Sequence, residues 1–172
     1  MPFTPLHFGP AAAIHSAAPR YVSFLAFCAA NVLIDLESLY NLRHGRHPVH
    51  AFFHTYIGAT LVTLVVICMF SALRKLAPYL PNVLAWKELK FIQVITGAAF
   101  GVYSHVLLDS IMHSDIQPFA PWSSSNDLLG LVSISTLHWF CLATGLVGLL
   151  VIGIRNLVQG NQNAVSQETP LK

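Results

Sequence analysis

Charged residues are scarce in this chain of 172 residues. Lysine, arginine, aspartate and glutamate together make up 9% of it, whereas soluble domains carry about 25%. A soluble protein of this size could not cover its surface with so few charges, so the composition excludes an ordinary soluble domain. The 55% hydrophobic content indicates instead that the lipid bilayer is the solvent of this chain.

Other scarcities exclude further classes of protein. The formal net charge is only +2 and the basic residues form no tract, which argues against a nucleic-acid partner. Cys28, Cys68 and Cys141 lie far apart in apolar segments, so neither a thiolate zinc site nor a disulfide framework is expected. The opening stretch MPFTPLHFGP has no positive charge and contains prolines, and we expect no cleavable signal peptide there.

Long apolar segments dominate the chain. A bilayer crossing requires about 20 apolar residues, and three segments approach that length with at most a single histidine each. A fourth segment is apolar for its first 14 residues and then meets Asp35 and Glu37. A fifth is short and weak, and it fits either a partly inserted helix or a tilted span. In chain order, the weak segment is 8–18 and the fourth is 21–40. The three strong segments are 56–73, 91–108 and 128–154.

These segments predict an all-α, polytopic transmembrane helix bundle with four to five spans. We expect one transmembrane domain over residues 1–158, followed by a polar tail at 159–172. The stretch GAAFG at 97–101 is a GxxxG pattern, which either lets a neighbouring helix approach closely or occurs by chance. The oligomeric state is left open by these patterns.

Lysine and arginine are distributed unevenly between the two sides of such a bundle. Seven of them, including those in the loop at 74–90, fall on one side, and only Arg43 and Arg46 fall on the other. The positive-inside rule therefore predicts a cytoplasmic C-terminus. The loops at 41–52 and 110–127 would then face outward from a bacterial inner (plasma) membrane.

Polar residues gather at the predicted outer side. In GVYSHVLLDSIMHSD, His105, Asp109 and His113 follow each other at spacings of four, so they share one helical face. The same topology brings Asp35 and Glu37 to that side, together with the histidines of the 41–54 stretch. It also brings His7 there if the first segment spans. His47, His50 and His54 would share a face if their stretch is helical.

Ionisable groups at the ends of membrane segments cost free energy and usually mark function. A divalent cation offsets that cost by pairing with the carboxylates and binding neutral imidazoles. Imidazole and carboxylate ligands without a thiolate suit zinc, with manganese or iron(II) as alternatives. Lone interfacial histidines are more often simply hydrogen-bonded, which is our interpretation of His15, His44 and His138. Asp115 and Asp127 are expected to solvate a loop, with a cap of the last helix as the alternative for Asp127.

Four motifs occur in order along the first 125 residues: PLHFGPA, NVLIDLE, HAFFHTYIG and YSHVLLDSIMHSDIQPFAPWS. In these motifs the chain resembles the YdjM-like family of membrane-bound metal-dependent hydrolases. That family in turn distantly resembles zinc-dependent phospholipase C and single-strand nucleases. The pattern of the family falls on His7, Asp35, His54 and the pair His105 and Asp109. The resemblance thus implies a metal site built from side chains of separate helices.

The resemblance also implies roles for these residues. Asp35, His54, His105 and Asp109 would hold one divalent metal, and His7 and His50 would hold a second one with Asp109 as the bridge. Glu37 or Asp109 would act as a catalytic carboxylate. Arg43 and Arg46 lie in the same outer loop and would either bind a phosphate of the substrate or anchor the loop at the interface, and His47 and His113 are secondary candidates. His138 is not followed by a glutamate four residues later, so one or two metals are expected rather than three.

The predicted function is therefore metal-dependent hydrolysis of a phosphoester or ester, lipid-like substrate through a metal-activated water. Two alternatives stay open at this point. Histidine and aspartate inside helices could pass metal ions or protons across the membrane. The same ligands could also form a structural metal site in a non-catalytic membrane protein.

Overall fold

A computed structural model describes residues 5–168, with side chains from residue 6 to residue 159. The described part consists of helices and loops and contains no strand. Among the described residues four helices are long and apolar enough to cross a bilayer, which confirms the prediction of an all-α membrane bundle. The α-helices are α1 (Phe8–Ala17), α2 (Phe24–Arg43), α3 (Tyr56–Lys75), α4 (Phe91–Met112) and α5 (Ile134–Glu168).

Helix α1 is the weak first segment, and it is too short to span. Its ten residues extend about 15 Å, roughly half the thickness of the hydrocarbon core. It begins beside α4, where His7 Nδ1 lies 3.3 Å from His105 Nδ1. It ends near the start of α4, where Gln93 donates a hydrogen bond to the carbonyl of Pro19 at 2.8 Å. Of the two interpretations of 8–18, the short helix therefore fits the structure better than a span of bilayer length.

Glycines allow the helices to approach each other closely. A Cβ atom on Gly97 would overlap the carbonyl oxygen of Ser23, and one on Gly101 would lie 2.8 Å from that of Phe27. The GxxxG pattern is therefore a contact surface between α4 and α2, and the close-approach interpretation is confirmed. Helix α5 packs mainly against α1 in the same way, with Gly148 against Ala12.

Helices α2, α3 and α4 enclose the main apolar core, in which Ile34, Val62 and Val102 are almost fully buried. Helix α3 begins directly after His54 because the Thr55 hydroxyl accepts a hydrogen bond from the backbone N–H of Gly58 at 3.0 Å. This N-cap sets the position of the His54 side chain at one end of the core.

The stretch before α3 is a loop, with a single 3₁₀ turn at Phe52–His54. The condition for a shared helical face of His47, His50 and His54 is therefore not met. His47 is exposed, whereas His50 and His54 are buried. The cause lies in long-range contacts, because this loop is held by hydrogen bonds to side chains of other segments.

Candidate metal centre

Four buried side chains from three parts of the chain meet at one end of the bundle. Asp35 comes from the middle of α2, His54 from the turn before α3, and His105 and Asp109 from successive turns of α4. His105 Nε2 lies 3.2 Å from Asp35 Oδ1 and 3.2 Å from Asp109 Oδ2. His54 Nε2 lies 3.6 Å from each of the same two oxygens. The four side chains thus direct their polar atoms at a common point.

The donor set fits a divalent cation. The Nε2 atoms of His54 and His105 are buried and have no hydrogen-bond partner, although burying a polar atom without a partner is costly. Ligands placed tetrahedrally at about 2.0–2.1 Å from a zinc ion lie roughly 3.3–3.4 Å from one another. The observed separations of 3.2–3.6 Å match that spacing. This cluster could therefore hold a metal ion, and its donors do not identify which one.

Asn31 sets the orientation of the His105 ring. Its amide nitrogen donates to the carbonyl of Phe27 at 3.0 Å, so its oxygen faces His105 Nδ1 at 2.9 Å. Nδ1–H of His105 therefore donates to Asn31, and the lone pair of Nε2 points between the two aspartates. A bare lone pair facing carboxylate oxygens is unfavourable, so either a cation between them or a second proton on the ring has to offset the repulsion. A metal-binding histidine usually donates a hydrogen bond from the ring nitrogen that does not bind the metal, and Asn31 is such a partner for His105.

A second group of candidate ligands adjoins the first. His50, Asp109 and His113 place one ligand atom each within 4.8 Å of one another. His7 approaches the same aspartate, with its Nε2 atom 3.3 Å from Asp109 Oδ1. The Oδ1 atom of Asp109 and the Nε2 atoms of His7 and His50 are all buried without a hydrogen-bond partner. Asp109 thus lies between the two groups.

Asp115 supports the second group, contrary to our expectation that it only solvates a loop. Its Oδ1 atom accepts from His50 Nδ1 at 2.9 Å. Its Oδ2 atom accepts from the backbone N–H groups of Val49 and His50, at 2.9 and 3.1 Å. These hydrogen bonds from His50 outweigh burial and hold the pKa of Asp115 below its usual value. The carboxylate therefore fixes both the loop and the tautomer of His50.

Burial disfavours the protonated form of three histidines outside the spans. Burial, reinforced by the nearby ring of His105, lowers the pKa of His7 to about 4. Burial also lowers the pKa of His54 and of His113. Neutral imidazole is the form that binds a metal, so these shifts leave lone pairs available for coordination.

Several predicted site residues lie elsewhere at this end. Glu37 is half-buried, and its Oε2 atom accepts a hydrogen bond from the backbone N–H of Phe53 at 2.6 Å. Arg43, Arg46 and His47 are exposed in and after the last turn of α2. The guanidinium of Arg46 lies 5.1 Å from the centre of the Tyr40 ring.

Sequence reasoning missed three supporting residues: Asn31, Ser38 and Asp115. A signal existed for the first two, because Asn31 and Ser38 share a helical face with Asp35 in an apolar helix. Ser38 Oγ lies 3.4 Å from His54 Nδ1 and so adjoins that ring. For Asp115 there was no local signal, since its partner His50 lies 65 residues away in the chain.

Of three comparisons with known proteins, one gives a match. Neither the curated proteins nor the solved structures provide a match. The family model described as YdjM inner membrane protein matches residues 7–166, which includes every candidate ligand. The chain therefore belongs to the YdjM inner membrane protein family.

Proposed function

We propose that this multi-pass inner membrane protein is a metal-dependent hydrolase of phosphoester or ester lipid-like substrates. The observation that supports the proposal most is the meeting of Asp35, His54, His105 and Asp109 around one point. The Nε2 atoms of His54 and His105 are buried without a hydrogen-bond partner, which is the arrangement expected of ligand atoms. We further propose zinc as the cation, with manganese or iron(II) as alternatives.

A divalent cation held there supplies Lewis acidity toward a phosphoryl or carbonyl oxygen and acidifies water. The protein side chains position that cation, and Asp109 serves both ligand groups through its two oxygens. In this proposal Glu37 would accept the proton of the attacking water, or Asp109 would do so where a single cation leaves one of its oxygens free. Glu37 would have to release its hydrogen bond to Phe53 to do so.

Access to the centre is a further support for catalysis. A cavity of about 370 Å³ lies beside the second ligand group and is lined by His50, Asp115, Thr55 and apolar residues such as Phe52. A mainly apolar lining suits the ester end of a lipid-like molecule. Arg43 and Arg46 lie exposed at the same end of the bundle and would bind its phosphate.

A structural metal site is the second candidate function, and one observation favours it. Asp35, His54, His105 and Asp109 are each at most 4% exposed, as expected of a site closed by four protein ligands. In that case the cation stabilises the bundle and performs no chemistry. The two functions differ in whether a substrate can reach the metal.

Both candidate functions require a bound metal, and metal analysis of the purified full-length protein in detergent tests that requirement. We expect at least one stoichiometric transition metal, and loss of it in His105→Ala and in Asp109→Ala. His44→Ala is the matched control, because His44 is exposed and bonded only to the carbonyl of Tyr40. A metal-free wild-type protein, or equal metal content in all variants, would refute the metal centre.

Hydrolysis assays separate catalysis from a structural role. The metal-loaded protein is incubated with phosphodiester and ester lipids, and release of the cleaved headgroup or acyl chain is measured. We expect turnover that Glu37→Gln or Asp109→Asn abolishes and His44→Ala leaves intact. No turnover across both lipid classes, together with unfolding when the metal is chelated, would establish the structural role instead.

A further inference from the structure

The end of the bundle opposite the metal centre contains a polar cleft of about 870 Å³. It lies between the C-terminal end of α1, the start of α4 and the middle of α5. Its lining includes Arg20, Lys90, Gln93 and Arg155. This cleft is separate from every candidate ligand described above, so an inference about it is independent of the proposed function.

The cleft exists because α1 is short. Helix α5 packs mainly on α1, which ends at Ala17. Beyond that point α5 continues past Arg155 without α1 beside it, and the start of α4 forms the opposite wall. A hydrogen bond joins α5 to the end of α1 at this gap, since Arg155 Nη2 donates to the carbonyl of Ser16 at 3.0 Å.

The cations of the cleft are not neutralised by the protein. Among the described residues, the ion pairs within 4.0 Å are all histidine–aspartate pairs at the metal end. Glu88 also lines the cleft, and its Oε1 atom accepts from Asn82 at 2.7 Å. Three cations thus face one carboxylate, which leaves an excess of positive charge for an anionic ligand.

An apolar strip of α5 adjoins the cleft. It is a shallow, open surface formed by residues of α5 alone, namely Val151, Ile154 and Val158, and it shares Arg155 and Gln159 with the polar cleft. A ligand that contacts both would carry an anionic head and an apolar tail. Free phosphate would use only the polar part.

We propose that this cleft binds an anionic phospholipid, with its phosphodiester headgroup at Arg20, Lys90 and Arg155 and an acyl chain along α5. Basic pockets between membrane helices on the cytoplasmic side are typical sites for such headgroups. The excess of lysine and arginine at this end agrees with that side under the positive-inside rule.

The test is native mass spectrometry of the full-length protein in detergent with phosphatidylglycerol or phosphatidylcholine of identical acyl chains. The double variant Arg20→Gln/Lys90→Gln removes two exposed cations that line the cleft. The control Lys75→Gln/Lys87→Gln removes two cations from the same end that do not line it. Metal content and melting temperature serve as checks that each variant is folded.

We expect phosphatidylglycerol to bind more tightly than phosphatidylcholine. The cleft variant should weaken it about 25-fold, since each basic residue near an anionic surface contributes about a fivefold factor. The control should change it less than twofold. Arg155→Gln, as a separate variant, should weaken binding about fivefold or more.

Three results would overturn the proposal. Equal weakening by the cleft variant and the control would show a general surface-charge effect. Equal binding of the two lipids would show that the phosphate charge is not recognised. Displacement of the lipid by inorganic phosphate or glycerol 3-phosphate at similar concentrations would show a site for a free anion rather than a lipid.

Discussion

The Nδ1 atom of His105 lies 2.9 Å from the Oδ1 atom of Asn31, and this hydrogen bond directs the Nε2 atom at the two aspartates. Asn31 is itself held by the carbonyl of Phe27, one helical turn earlier in α2. The α2 backbone therefore orients a ligand that belongs to α4. The metal centre depends on the register between these two helices as well as on its ligands.

Replacing Asn31 with alanine should weaken metal binding without removing a ligand. Loss of a partner on the far nitrogen of a metal-binding histidine typically lowers affinity about 10- to 100-fold. Competition with a fluorescent chelator measures the change. Asn156→Ala is the control, since Asn156 is exposed on α5 at the other end of the bundle. Unchanged affinity in Asn31→Ala would show that His105 is oriented by packing alone.

Asp115→Asn should affect the second ligand group and spare the first. The carboxylate accepts hydrogen bonds from His50 Nδ1 and from the backbone N–H groups of Val49 and His50. In the variant, the amide NH₂ group would face one of these donors and that hydrogen bond would be lost, at a cost of about 1–3 kcal/mol. We expect a lower melting temperature and, where two metals bind, loss of one equivalent. Asp127→Asn, in an exposed part of the same loop, should change neither quantity. Loss of all metal would mean that the two groups bind as one unit.

The spans of the bundle were predictable because a bilayer crossing leaves a long apolar run in the sequence. The grouping of Asp35 with His105 and Asp109 was predictable too, since the order of spans places those residues on one side. Both inferences rest on signals spread over whole helices, and such signals survive without knowledge of side-chain packing.

The loop before α3 was not predictable in the same way. Its shape depends on Asp115 and Glu37, which accept backbone hydrogen bonds from residues distant in the chain. No local pattern indicates such partners, so the sequence could not decide whether the stretch with His47, His50 and His54 is helical. The length of α1 was also ambiguous, because an apolar segment of about ten residues fits more than one depth in the membrane.

Gly97→Ala should destabilise the bundle by about 1–3 kcal/mol, the usual cost of overpacking a close helix contact. The added methyl group would meet the backbone of Ser23, which cannot move without shifting α2. Thermal unfolding in detergent measures the effect. Gly153→Ala is the matched control, because a Cβ atom there meets nothing within 4 Å. A Gly97→Ala protein as stable as the control would show that α2 and α4 can separate freely.

The orientation of the protein is our last prediction, and cysteine labelling decides it. In a variant whose three native cysteines are replaced by serine, Ser124→Cys would lie in an exposed loop at the metal end. Tyr79→Cys would lie at the opposite end, where the native side chain is 86% exposed. A membrane-impermeant maleimide applied to intact cells should label position 124 at once. Position 79 should react only after the membrane is permeabilised, because the positive-inside rule places that end in the cytoplasm. The reverse pattern would turn the metal centre toward the cytoplasm, and its substrate would then have to come from the inner leaflet.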